Sequence, residues 1–276
     1  ATTGVLIVLA LLSVFLPVND LNIAGMTMSV YNLISQYILI IGSIVALVFL
    51  AVAGNEKRAA AGLTRQNWKS AVLIVLAFVG IYIVRTVVSV AVQGVSDGSG
   101  MQHVKEWAAM FKNPMMWLNI AALPINYFFV FIAFFGEEYG WRYYLQPVLQ
   151  KRFGLRAGVI ILGIVWGLWH IPDDLFYYTQ TSGIQMIFAQ QITCISLGIF
   201  FAYAYMKTQN IWVPVCLHYL NNNLIPIISG TFSADVLENQ NVSWRDLPVA
   251  VVLNGLCFGF FLLADVFKKK EVQEEE

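Results

Sequence analysis

The chain reads as an all-α, polytopic integral membrane protein, with about eight transmembrane helices around an intramembrane polar cavity. Three observations predict this. Of 276 residues, 59% are hydrophobic and only 12% are charged, about half the charge of a soluble domain, roughly 25%. Mean hydropathy is +0.70. Apolar runs of about 18 residues or more recur along the chain, the length at which a helix crosses a bilayer core. Basic and acidic residues balance at 16 each, so nothing points to a nucleic-acid partner.

The spans fall at about 3–18, 29–53, 70–93, 117–140, 155–171, 184–206, 211–228 and 247–267. The first has no basic region before it and no small-residue cleavage site ahead of Asn19-Asp20, so it reads as a retained helix and not a signal peptide. Lys57, Arg58, Arg65 and Lys69 separate spans two and three; Lys151, Arg152 and Arg156 follow span four; Lys207 follows span six; Lys268-Lys269-Lys270 follow span eight. With eight spans all of these loops share one side, and the positive-inside rule makes it cytoplasmic, with both termini there. The opposite loops carry Asp97, Asp173, Asp174, Asp235, Glu238 and Asp246, and the tail ends in the solvated Glu271, Glu274, Glu275 and Glu276. Phe153-Gly154 is the expected turn between spans four and five. Within span five, Gly163-x-x-x-Gly167 would let a neighbouring helix approach closely. No repeat or linker divides the chain, so residues 1–276 read as one transmembrane domain. Cys194, Cys216 and Cys257 lie in apolar stretches at no metal-ligand spacing, as expected of inert core thiols.

Against this background Glu137 and Glu138 stand out at the end of span four, followed by Arg142. One such charge at the centre of a membrane helix costs about 2.5 to 3.5 kcal/mol on insertion scales. At 1.5 Å per residue from the turn, Glu137 on the descending helix and His170 on the ascending one both lie about 24 Å up, at the same level. The next hairpin, turning near Lys207-Thr208-Gln209-Asn210, brings His218 to about 13 Å and Asn222 to about 19 Å. His218 and Asn222 share a helix face at i, i+4, as do Glu138 and Arg142. Glu137 points about 100° away from Glu138 around the helix, so the two carboxylates should serve different partners. Each residue also has a plain structural reading: Glu138 with Arg142 as an ion pair, His170 as an interfacial histidine, His218 and Asn222 as interhelical hydrogen-bonding groups. Their convergence favours chemistry, and His103, in an outer loop, joins none of it.

Glu137-Glu138-x-x-x-Arg142, then Trp166-x-x-x-His170, then His218-x-x-x-Asn222 resembles the CAAX protease and bacteriocin-processing family of intramembrane endopeptidases, the Ras-converting CAAX prenyl endopeptidases included. The likeness covers about residues 117–228 and puts the catalytic core there. Trp166 stands where the family often has Phe. The resemblance implies peptide-bond hydrolysis near the C-terminus of a prenylated or other membrane-associated protein or peptide, a substrate reached through membrane lipid. Glu137 with His170 would activate water, His218 and Asn222 would form an oxyanion hole, and Glu138 and Arg142 would hold the substrate. A zinc site built from the same Glu and His residues is the mechanistic alternative. The Asn and Arg in the cluster and the lack of His-Glu-x-x-His favour a metal-free, cofactor-free mechanism. The functional alternative is a non-proteolytic membrane protein, an immunity protein, scaffold or proton-coupled transporter using the same buried acids. The membrane itself, cell membrane or endoplasmic reticulum, is left open.

Overall fold

The computed structural model describes residues 2–16, 18, 21–23, 26–63, 65–231 and 239–268. Among the charges named above, Asp20, Asp235, Glu238, Lys269, Lys270 and the tail glutamates Glu271, Glu274, Glu275 and Glu276 lie outside the described residues, as does Asn19. Helix α1 (Thr2–Phe15) leads through an antiparallel hairpin, β1 (Leu21–Ile23) with β2 (Met26–Met28), into α2 (Val30–Val52). The Tyr31 hydroxyl donates to the Leu16 carbonyl at 2.7 Å and ties the two helices together. After α3 (Gly54–Ala60) come α4 (Trp68–Ser96), α5 (Gln102–Met110) and α6 (Pro114–Glu138). Helix α6 starts on a strong signal: Pro114 in its first turn, and Asn113 accepting from the Met115 N–H at 3.0 Å.

Continuing the line of α6 are a π-helical segment, Tyr139–Leu145, and α7 (Gln146–Phe153). The chain then reverses at Gly154, whose φ of 87° suits glycine, into α8 (Leu155–Trp169). The short α9 (Ile171–Phe176), α10 (Gly183–Thr208), α11 (Trp212–Ser229) and α12 (Asp246–Cys257) complete the bundle. Gln209, left-handed at φ 51°, turns α10 toward α11. Beside that turn, Asn67 donates to the Thr208 carbonyl and Asn210 to the Gln66 carbonyl, both at 3.0 Å, locking it to the start of α4.

The protein is a polytopic helical membrane protein. Among the described residues, five stretches are long and apolar enough to cross a bilayer: Leu33–Val52, Trp68–Ser96, Pro114–Phe153, Leu155–Phe176 and Gly183–Thr208. Large side chains such as Leu73, Leu76, Phe128 and Phe129 are exposed on the outside of the bundle, as a lipid-facing surface requires. Helix occupies all eight expected positions, but the first, α1 with 14 residues, the seventh, α11, and the last are not among these five stretches, and the last departs furthest from expectation. Helix α12 has 12 residues, about 18 Å at 1.5 Å per residue, against a hydrocarbon core of about 30 Å. It breaks at Phe258, φ −123°, and continues as 3₁₀ turns at Gly259–Leu263 and Asp265–Phe267. The break lets the Phe258 ring bury completely among Phe78, Tyr82 and Phe200.

At the centre lies α10, whose Leu197, Phe200 and Phe201 join Phe78, Trp166 and Leu217 in the main core. The close approach expected at Gly163 is present. A Cβ there would stand 2.6 Å from Ile195 Cα, and the Gly198 site faces Gly163 Cα at 3.5 Å. At Gly167 a Cβ would run into the Gln191 side chain. Backbone-level packing of α8 on α10 fixes the height and rotation of His170, which caps α8.

Candidate active site

Glu137 and Glu138 close α6, and the chain beyond them departs from regular α-helix. Pro147 has no N–H to offer the Tyr143 carbonyl, and its ring would clash with that carbonyl in an unbroken ladder. The backbone widens instead into the π segment, where the Gln146 N–H bonds the Trp141 carbonyl five residues back. Arg142 lies inside this segment and is fully buried.

Glu138 and Arg142 form the centre of a buried polar knot. Arg142 Nε donates to Glu138 Oε2 at 2.8 Å, and Nη1 donates to the Gly198 carbonyl at 3.3 Å. The guanidinium sits 5.3 Å from the Trp166 ring centre and 5.5 Å from that of Phe201. The second oxygen, Oε1, is 2.9 Å from His218 Nδ1. Glu138 is fully buried like Arg142. Both of its oxygens are occupied, and two rings sandwich the cation, which is how two charges persist in a low dielectric.

Glu137 turns the other way. Together with His170, His218 and Asn222 it lines a cavity of about 220 Å³, whose wall also includes Asp173, Tyr178 and Trp169. Glu137 Oε2 is buried and has no hydrogen-bond partner among the described residues. His170 Nδ1 contacts the Trp166 carbonyl at 2.9 Å, so Nδ1 carries the proton and Nε2 is the nitrogen left for other partners. On His218 the Glu138 contact takes Nδ1, which again leaves Nε2. Asn222 lies one turn before Pro226, inside α11. That proline lacks the N–H that would bond the Asn222 carbonyl, so the helix is loosened where the side chain meets the cavity.

A second, larger cavity of about 590 Å³ adjoins the first and shares Glu137 and Trp169 with it. Gly42, Ser43, Gly136, Gly140 and Tyr144 are among its walls. A Cβ on Gly136 would collide with the Ser43 side chain, so α2 lies directly on the α6 backbone beside Glu137. Glu137 therefore sits between a polar chamber and a mostly apolar groove.

All six expected residues converge, but not in the expected pairs. Glu138 does join Arg142. Glu137 and His170 share the cavity, yet no hydrogen bond links them among the described residues. His218 bonds Glu138. Neither Glu138 nor Arg142 is among the cavity's lining residues, because the knot faces α10 and Trp166. His103 stays apart, contacting Asp97 at 2.6 Å and Glu106 at 3.6 Å. Sequence reasoning missed Asp173 and Asp174, taken as loop acids. Asp173 lines the cavity, and Asp174 is fully buried with neither oxygen partnered among the described residues. Their spacing from His170, three and four residues on, was the available signal. Cys194, expected to be an inert core thiol, is buried in the main core, with its sulfur 3.9 Å from His170 Nδ1. Among the described residues, no three His, Cys, Asp or Glu side chains are grouped so as to hold a metal ion.

Residues 119–224 match the family model described as type II CAAX prenyl endopeptidase Rce1-like. A curated relative, CAAX prenyl protease 2 of Methanococcus maripaludis, is 28% identical over 125 residues, which cover 42% of this chain and 45% of the relative. The match thus spans less than half of that relative's length. No solved structure matches the chain. The stretch that matches this family model includes Glu137, Glu138, Arg142, His170, His218 and Asn222.

Proposed function

We propose that the protein is an intramembrane endopeptidase that hydrolyses a peptide bond near the C-terminus of a prenylated or otherwise membrane-associated substrate, with Glu137 as the general base. One observation carries the reading: a carboxylate with an unpartnered oxygen faces a chamber whose other walls hold His170, His218 and Asn222. A structural carboxylate in a membrane protein would be saturated, as Glu138 is. Similarity to the Rce1-like family over the same residues supports the substrate class.

Water held between Glu137 and His170 Nε2 loses a proton to Glu137 as its oxygen attacks the scissile carbonyl. The carbonyl oxygen becomes an oxyanion, which Asn222 Nδ2 stabilises; His218 Nε2 joins it when the ring carries both protons, with Glu138 as counter-charge. Glu137 then returns its proton to the leaving amine, and the carbon–nitrogen bond breaks. No step uses a metal ion. Glu138 and Arg142 act here by holding His218, in place of the substrate-holding role that the family resemblance implies. The apolar groove beyond Glu137 suits a lipid chain entering between α2 and α6, with the peptide crossing into the polar chamber. The basic loops support an orientation with both termini cytoplasmic.

The test is incubation of purified protein with a farnesylated peptide library, with products read by mass spectrometry. Cleavage at one bond near the C-terminus that persists after complete chelation is expected. Loss on chelation with recovery on adding zinc would overturn the metal-free mechanism. Failure to cleave any prenylated or membrane-anchored peptide would favour the non-proteolytic reading, in which the same acids carry protons.

A further inference from the structure

Behind the cavity, on the side of α11 that faces α4, a second polar string runs through the bundle. The Tyr82 hydroxyl donates to Asn221 Oδ1 at 2.5 Å, and Asn221 Nδ2 donates to Asn222 Oδ1 at 2.8 Å. Arg85, one turn further along α4, lies with its guanidinium 5.8 Å from the centre of the Tyr82 ring, while its Nε donates to Asn254 Oδ1 at 2.7 Å. Neither α4 nor α12 touches the cavity, and the mechanism above uses none of Tyr82, Arg85, Asn221 or Asn254.

An oxyanion donor must present N–H and not C=O, and an asparagine amide offers both at nearly the same cost. Something must choose. We propose that Tyr82 and Asn221 are positioning residues that lock the Asn222 amide with its NH₂ toward the cavity. Asn221 uses both ends of its amide: Oδ1 takes the Tyr82 proton, so Nδ2 is the end left for Asn222, and Asn222 must answer with Oδ1. The direction of the string is set at its far end. The Arg85 cation beside the ring makes the Tyr82 hydroxyl a better donor than acceptor, and the ring itself is clamped edge-on by Phe78 at 4.9 Å and at a tilt by Phe258 at 5.0 Å. Preorganisation of this kind has its effect in the transition state, since the donor need not turn when the charge forms.

The positioning role rests on the peptidase reading, and its test separates the two. Tyr82→Phe keeps the ring and its packing and removes only the hydroxyl. In selectively ¹⁵N-labelled protein, with Asn222 assigned by loss of its signal in Asn222→Ala, Tyr82→Phe should shift the Asn222 side-chain NH₂ resonance. In cleavage assays kcat should fall about 3- to 10-fold with little change in KM, the effect of one neutral hydrogen bond. Adding Tyr82→Phe to Asn222→Ala should cost nothing further, because both act through one amide. Asn221→Asp, which cannot donate, should turn the amide round and bring kcat down to the level of Asn222→Ala. An unmoved Asn222 resonance, or losses that multiply in the double variant, would overturn the positioning role. A shifted resonance in a protein that cleaves no peptide would leave the positioning intact and sink the peptidase reading instead.

Discussion

Glu137 and Glu138 are chain neighbours in one stretch of helix, and the regions they face could hardly differ more. On the Glu138 side the carboxylate is fully answered: its two oxygens meet Arg142 and His218, and the guanidinium is held by the Gly198 carbonyl and two aromatic faces, with Arg142 Nη2 alone of its nitrogens buried without a partner among the described residues. On the Glu137 side one oxygen is buried with no partner among the described residues, beside a cavity. A saturated carboxylate is part of the scaffold; an unsaturated one is available to a reactant. The 100° or so between adjacent helical residues is enough to place one acid in each environment.

Breaking the knot should have the largest effect on stability. Removing one partner of a buried pair strands the other charge, so Glu138→Leu or Arg142→Leu should each destabilise by about 3 to 5 kcal/mol. Thermal melting in detergent would measure it. The double replacement should recover much of that loss while leaving cleavage impaired, because His218 has lost its anchor. On the cavity side, Asn222→Ala should lower kcat by about 10²- to 10³-fold, the usual cost of one oxyanion donor, with little change in melting temperature. Equal stability losses on the two sides would erase the distinction. Gly163→Val should destabilise by about 1 to 3 kcal/mol through overpacking against Ile195. It should reduce activity through His170, and a variant as stable and as active as the parent would remove the close packing from the account.

The smallest effect belongs to a control pair outside both regions. The hydrogen bond from Ser99, followed by that with His103, holds Asp97 well below the usual carboxylate range, and Asp97 in turn raises His103. Stability from the raised His103 is fully present below its unfolded value, about 6.5, and is lost as pH rises through the higher folded value. That from Asp97 is present above about 3.9 and is lost as pH falls through its depressed value. The melting difference between the parent and His103→Asn should therefore be greatest between these limits and should fade in alkali. Cleavage should not respond to this substitution at any pH.

Much of this arrangement was legible in the sequence because it depends on helical rise and apolar length. The levels of Glu137 and His170, the turn at Gly154, the Glu138–Arg142 pair and the close approach at Gly163 all come from counting residues along straight helices. What escaped depends on rotation and on local departures from α geometry. The π segment at Tyr139–Leu145 departs from the 3.6-residue period beyond Glu138, and no periodicity argument contains it. His218 sits on Glu138 because tertiary packing of α11 on α6 decides which of two adjacent carboxylates it meets. Asp173 and Asp174 read as loop acids because the apolar run of span five stops at about 171, yet α9 carries the chain on past the cavity wall. The last span was overestimated because hydropathy records that Phe258 is apolar, not that its burial breaks the helix.

The central claim, that Glu137 is the reactive acid and Glu138 the structural one, meets its most direct test in Glu137→Gln. This substitution preserves shape and removes the base. Single-turnover cleavage of a farnesylated peptide should fall by about 10²- to 10⁴-fold, the usual contribution of a general base, while the melting temperature stays at that of the parent. Glu137→Gln protein that releases the C-terminal peptide at the parent rate would contradict the account.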